Sequence, residues 1–220
     1  MEVIPTGSNL WQYDQPVLDD PRVALQIAPT TNVLLSLSRI AFEKKIDEVI
    51  AALPAILAVV PNTVLVIVGD GPARETLQNQ AKSLGIWEHV IFTGEVPNEH
   101  VAAYYHMADL FLSASESESQ GLTYIEAMAS GLKSVAAASP YTNDLLDDPA
   151  IGTTFTSEPE MVQQVTRYLA HPQVFNDPSP RLRKLELISA PHFGHRVIQF
   201  YRTAQTYYET LNRDSTKLSD

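Results

Sequence analysis

The chain predicts an α/β fold, an open parallel sheet with helices on both faces, and two observations carry that prediction. Continuous apolar runs alternate with segments of helical spacing along most of the sequence. Short turns, several rich in glycine, separate the two kinds of segment, and five successive βα units joined this way favour a parallel sheet. Apolar runs without polar alternation suit strands buried on both faces.

The elements follow in order. "NVLLSLS" (32–38) reads as a buried strand. "IDEVIAALPAILAVV" (46–60) places Ile46, Val49, Ile50, Leu53, Leu57 and Val60 on one helical face, with Pro54 expected to cost a backbone hydrogen bond and bend the helix. "TVLVIVGDGP" (63–72) is the clearest strand and ends in a Gly-Asp-Gly-Pro turn. Helix over 73–85, strand over 89–94, helix over 98–108, strand over 109–115, helix over 121–131 and strand over 134–139 complete the regular part. After about residue 141 the pattern loosens. A short helix is expected over 158–171, a loop over the Pro- and Asn/Asp-rich 172–181, and a helix over 192–211 with an aromatic stripe that reads as packing, part of which an isolated domain would leave uncovered. The tail "NRDSTKLSD" reads as disordered.

Composition narrows the function. With 45% apolar and 19% charged residues the chain is an ordinary globular protein, and no apolar run is long enough to span a bilayer. The absence of cysteine excludes disulfides and thiolate metal sites and fits a cytoplasmic protein. The N-terminus has no basic region followed by an apolar core, so it does not read as a signal peptide. Fifteen basic against 26 acidic residues give a net charge of −11, which argues against a nucleic-acid polymer as partner. A single nucleotide needs only a local pair of cations.

Ligands of open parallel sheets bind beyond the carboxyl ends of the strands. Those ends are here "SRIAFEKK", "GDGP", "TGEVPN" and "SASESESQG". The helix that opens near Gln120–Leu122 offers free N–H groups and a positive dipole end to an anion, and Gly121 has no side chain in the way. Glu118 stands just before this helix and Glu126 more than one turn inside it. Two carboxylates that accept hydroxyl donors on either side of an anion-binding amide cluster suit a nucleotide sugar. Arg39 and Lys44, on the exit of the first strand, supply cations for its phosphates. Basic residues at a strand end are ordinarily solvated, and Glu118 and Glu126 could be a favourable charge at a helix start and a solvent-facing helix residue. The coincidence of the four gives the ligand reading its weight. Glu116 reads as a surface acid, Asp70 and Gly71 as a turn, and "RLRK" (181–184) as a solvated helix face. His192 and His195 lack accompanying carboxylates, so no metal site is expected.

Arg39-x4-Lys44, "VGDGP", "VIFTGEVP" and Glu118-x7-Glu126 with "EAMASG", in that order, resemble the C-terminal domain of retaining glycosyltransferases of the GT-B type over roughly residues 3–172. The resemblance implies one half of a GT-B fold: a lead-in and linker remnant over 1–32, a Rossmann-like nucleotide-sugar domain over 33–172, a helical extension over 173–212 and a disordered tail over 213–220. It implies that Arg39 and Lys44 hold the diphosphate and stabilise the leaving group, and that Glu118 binds hydroxyls of the donor sugar. Backbone around Gly121, Leu122 and Thr123 would contact sugar and phosphate, Glu126 the ribose hydroxyls, and the loop at Val96 the base. No cofactor or metal is implied. "SQGLTYIEAMASG" followed by "SPYTNDLL" resembles the bacterial diacylglycerol glucosyltransferases, which implies UDP-glucose as donor, a membrane lipid as acceptor and glycolipid synthesis at a membrane. A missing N-terminal acceptor-binding domain is the implied partner, and this chain alone is expected to be inactive. A non-catalytic nucleotide or nucleotide-sugar binding module is the alternative. The chain departs from the family pattern at Gln120, where Phe is usual, at Ser38, where Gly precedes the arginine, and at Ser139-Pro140-Tyr141, where a Gly-Gly pair is usual.

Overall fold

The computed structural model describes residues 10–15, 20–116 and 121–217, with the backbone alone for Asp14 and residues 209–217. Internal packing divides the chain into two units. Trp11–Arg181 contains the whole sheet, and the described residues from Leu182 onward belong to the other unit.

The larger unit opens with a 3-10 turn, Trp11–Asp14, and a single-turn helix, α1 (Pro21–Ala24). Strand β1 (Asn32–Leu37) leads into α2 (Ile46–Val59), β2 (Thr63–Val68) into α3 (Arg74–Ser83), and β3 (Val90–Gly94) into α4 (Asn98–Met107). Then come β4 (Leu110–Ser113), α5 (Leu122–Ala129), β5 (Ser134–Ala137), α6 (Pro140–Leu145), β6 (Gly152–Phe155) and α7 (Glu158–Ala170). The strands form one six-stranded sheet in the order β3-β2-β1-β4-β5-β6. All five strand pairings are parallel. The order reverses between β1 and β4, the position at which a doubly wound sheet opens a crevice.

Side chains of alternate residues separate the two faces. Leu34, Leu65, Ile67, Leu110, Leu112 and Val135 share one core with residues of α2, α3 and α7. Their neighbours Val33, Leu35, Val66 and Ala136 are equally buried. On that second face the Phe111 ring stands 5.9 Å from Tyr105 of α4 and 5.5 Å from Tyr124 of α5. Burial on both faces is what the continuous apolar runs require. Helix α2 continues through Pro54.

Two predicted features of the larger unit and of the stretch after α7 change. The sheet gains a sixth strand, β6, that the sequence reading did not include. Its "GTTF" has only Phe155 as a large apolar residue, and as an edge strand it leaves Thr153 and Thr154 half-exposed, so it lacks the apolar signature of a central strand. The stretch 172–181, expected to be a loop, contains a 3-10 turn, Pro172–Phe175, and the start of α8 (Ser179–Leu187).

In the smaller unit, α9 (Ala190–Lys217) continues past Leu211, where the sequence reading ends that helix; residues 218–220 lie outside the described residues. The aromatic stripe, read from the sequence as packing, is only partly covered. Phe193 and Val197 are half-buried, whereas Ile198, Phe200, Tyr201, Tyr207 and Tyr208 are exposed. No helix among the described residues is long and apolar enough to cross a membrane.

Candidate functional site

The loops beyond β1, β2 and β3 are laced together by backbone hydrogen bonds. Ser38 N–H donates to Val68 O at 3.1 Å, Ile40 N–H to Asp70 O at 2.9 Å, and Gly69 N–H to Gly94 O at 2.9 Å. Such close approach is possible only without side chains at the glycines of "GDG". A Cβ on Gly69, whose φ is +130°, would lie 2.0 Å from the Ser38 carbonyl oxygen. One on Gly71 would lie 2.2 Å from that of Ile40. The two glycines therefore set the loop geometry at the strand ends.

These loops enclose an open cleft of about 680 Å³, lined among others by Ser38, Arg39, Asp70, Gly71, Glu95 and Val96. Two residues singled out from sequence, Arg39 and Val96, thus share one cleft across the first and third strand exits. Arg39 is exposed at the rim of this cleft. Asp70 is more than a turn residue. It accepts from the Gly71 N–H at 2.7 Å and from an Arg74 guanidinium nitrogen at 2.6 Å. The Gly71 amide first, and then Arg74, hold its carboxyl below the ordinary aspartate value.

Lys44 ends the 3-10 turn Phe42–Lys44 and is half-buried, outside the set of described residues that line the cleft. Its neighbour Lys45, which sequence reasoning passed over, adopts a left-handed conformation with φ +50°. The Lys45 ammonium lies 2.8 Å from Glu116 and 3.4 Å from Glu48, and the Glu116 bond raises its pKa. Glu116 is thus exposed but paired, joining the β4 exit to the start of α2.

The head of α5 is built on Gly121, which has φ +56° and ψ 35° as the residue before the helix. Tyr124 and Ile125 N–H both reach the Gly121 carbonyl, at 3.0 and 3.2 Å, so helical bonding begins there. The amides of Leu122 and Thr123 precede any helical acceptor. Leu122 is exposed and Thr123 half-buried. The reading that Gly121 clears space for phosphate needs correction. A Cβ there would meet the Tyr141 ring at 2.2 Å and its hydroxyl at 2.7 Å, so the space beside Gly121 already holds Tyr141 of α6. Glu118, together with Gln120, lies outside the described residues.

Glu126 is half-buried and does not face solvent as an ordinary helix residue would. The Tyr105 hydroxyl donates to its Oε2 at 2.9 Å, and the Tyr13 phenol, in edge contact with the Tyr105 ring, is electrostatically coupled to the same carboxylate. Burial pushes its pKa up, and the two phenols offset part of that shift. Tyr13 is itself pushed up to about 12, by burial first and then by the Glu126 charge. Sequence reasoning missed both tyrosines. Tyr105 looks like one more apolar residue of "AAYYHMA", and Tyr13 lies in a segment without periodicity. At the far end of α5, Arg181 donates to the carbonyls of Met128 and Ala129 at 3.1 and 3.3 Å, so this member of "RLRK" caps the helix and is not merely solvated.

Known proteins share both the sequence and the sheet. An alpha-monoglucosyldiacylglycerol synthase of Streptococcus pneumoniae is 38% identical over 222 residues, covering 97% of this chain and 50% of that protein. One from Acholeplasma laidlawii is 28% identical over 99% of this chain and 54% of its own length. The chain spans about half the length of these curated relatives. Sucrose-phosphate synthase from Thermosynechococcus elongatus superposes on 94% of the chain with a TM-score of 0.79 and 25% identity, using 53% of its own chain. The solved structures that superpose on this Rossmann-like sheet are GT-B glycosyltransferases. The model of glycosyl transferases group 1 matches residues 19–183, a span that includes all six strands, and on that match the chain belongs to the glycosyl transferases group 1 family.

Proposed function

We propose that this chain is the donor-binding half of a retaining hexosyltransferase, which holds UDP-glucose or a related UDP-hexose while the sugar passes to a lipid acceptor such as diacylglycerol. The observation that carries the reading is the cleft beyond β1–β3, where Arg39 and Val96 meet on a Rossmann-like sheet. The 38% identity to an alpha-monoglucosyldiacylglycerol synthase supports glucose and a diacylglycerol acceptor. Because the chain spans half of that relative, the acceptor side is assigned to a second, N-terminal domain working at a membrane face.

In this reading the base lies against the loop at Val96 and the ribose hydroxyls donate to Glu126. The diphosphate rests on the amides of Leu122 and Thr123, with Arg39 and Lys44 as counter-charges. Glu118 orients the sugar. As the bond from the sugar C1 to the phosphate oxygen breaks, its electron pair stays on UDP, where the two cations and the helix dipole stabilise it without a metal. The acceptor hydroxyl attacks from the face the phosphate leaves and gives its proton to the leaving phosphate oxygen, so the configuration is retained.

Isothermal titration of the chain with UDP, UDP-glucose and GDP-sugars tests the reading. Uridine nucleotides should bind and guanosine ones should not. Glu126→Ala should weaken UDP by about 10- to 100-fold, the value of a charge-assisted hydrogen bond. Absence of uridine-nucleotide binding, or binding indifferent to Glu126, contradicts it.

A further inference from the structure

Glu126 is held in an unusual way for a half-buried carboxylate. Among the described residues the Tyr105 phenol donates to it, the Tyr13 phenol stands against the Tyr105 ring and is coupled to the same carboxylate, and no cation is paired to it. An arginine or lysine would neutralise the group and occupy its lone pairs. Phenols orient it without bringing a positive charge of their own. Both rings are themselves fixed. Tyr105 is 1% exposed and Tyr13 3%, and they meet edge to face at 5.9 Å and 76°. Tyr105 is further packed against Phe111, so neither hydroxyl can swing away without disturbing the core. A carboxylate has about four acceptor positions, which leaves capacity beyond the two phenols. Tyr13 lies ahead of the residues 19–183 that match the family model, in the turn packed against α5.

We propose that Tyr105 and Tyr13 are positioning residues that hold the Glu126 carboxylate in the orientation in which it accepts the ribose hydroxyls of the nucleotide. The proposal rests on the donor-binding reading above. It gives the turn Trp11–Asp14 a part in recognising ribose that acts through Glu126. Burial makes this arrangement necessary: a carboxylate whose charge is disfavoured by its surroundings needs donors that keep it oriented before the nucleotide arrives.

The test compares UDP with 2′-deoxy-UDP by isothermal titration on the full chain, for wild type, Tyr105→Phe, Tyr13→Phe and Glu126→Gln. Each phenylalanine keeps the ring and removes one oxygen, and thermal melts verify folding. Wild type should prefer the ribonucleotide, and Glu126→Gln should remove most of that preference. Each phenylalanine variant should reduce the preference about three- to tenfold, the worth of one orienting hydrogen bond. If Tyr105→Phe unfolds, Tyr13→Phe decides alone. An unchanged preference in the folded variants, even with both nucleotides bound more weakly, assigns the tyrosines a structural role and overturns the proposal. So does a wild type that binds UDP without regard to the 2′-hydroxyl. A wild type that binds no UDP overturns the donor-binding reading itself, and the proposal with it.

Discussion

Gly69 and Glu126 show how single residues carry the site. Gly69→Ala would push a Cβ to 2.0 Å from the Ser38 carbonyl at a φ of +130°, which an alanine rarely adopts. The loops beyond β1 and β2 would have to separate. The expected loss is about 2–4 kcal/mol in urea unfolding, together with weaker nucleotide binding at the cleft they enclose. Glu126 makes a prediction about pH. Burial raises its folded pKa above the ordinary 4.5, so the folded chain holds this proton more tightly than the unfolded chain does. Wild type should therefore lose stability relative to Glu126→Gln as pH rises through 4.5 toward the higher folded value, and the difference should level off above it. Urea melts across that range measure the effect, and a gap that widens in the opposite direction would contradict it. Arg39 and Glu126 stand out in the sequence as candidates because strand exits and helix starts are local patterns, and Val96 is a candidate through the family resemblance. The phenols on Glu126 and the Tyr141 ring at Gly121 do not stand out, since both join residues distant in the chain.

Helices and strands were legible to the extent that burial imprints a period on them. The first five strands each carry a continuous apolar core, and each lies where the sequence places it. Strand β6 and the short α6 have few apolar residues of their own. They exist because β5 offers a free edge to pair with, and because Ser139 and Thr142 form a reciprocal cap at the start of α6. Arg22 shows the same dependence on context. It sits in α1, a helix with no buried residue, yet its guanidinium reaches Met107 O at 2.8 Å, Thr31 O at 2.9 Å and Asp109 at 2.9 Å. Asp109 in turn accepts the Val33 N–H at 2.8 Å, so one side chain ties α1 and the end of α4 to the first residues of β1. Arg22→Ala should cost about 2–3 kcal/mol by chemical denaturation, more than a typical surface substitution, while Arg22→Lys should recover only part of it. A loss under about 0.5 kcal/mol would mean that the clamp adds nothing beyond an exposed ion pair.

At the scale of the whole molecule, the strand order β3-β2-β1-β4-β5-β6 determines where a ligand can sit. The β1 exit carries Arg39 and the β4 exit leads into α5, and these two strands are neighbours at the reversal, where doubly wound sheets bind their ligands. The account stands or falls on one ligand bridging them. The most direct measurement is a structure of the chain crystallised with UDP-glucose. The diphosphate should lie within hydrogen-bond distance of the Leu122 and Thr123 amides and beside Arg39, with the ribose on Glu126 and the base against Val96. A nucleotide bound elsewhere on the sheet, or bound with its phosphates away from the head of α5, would contradict the account.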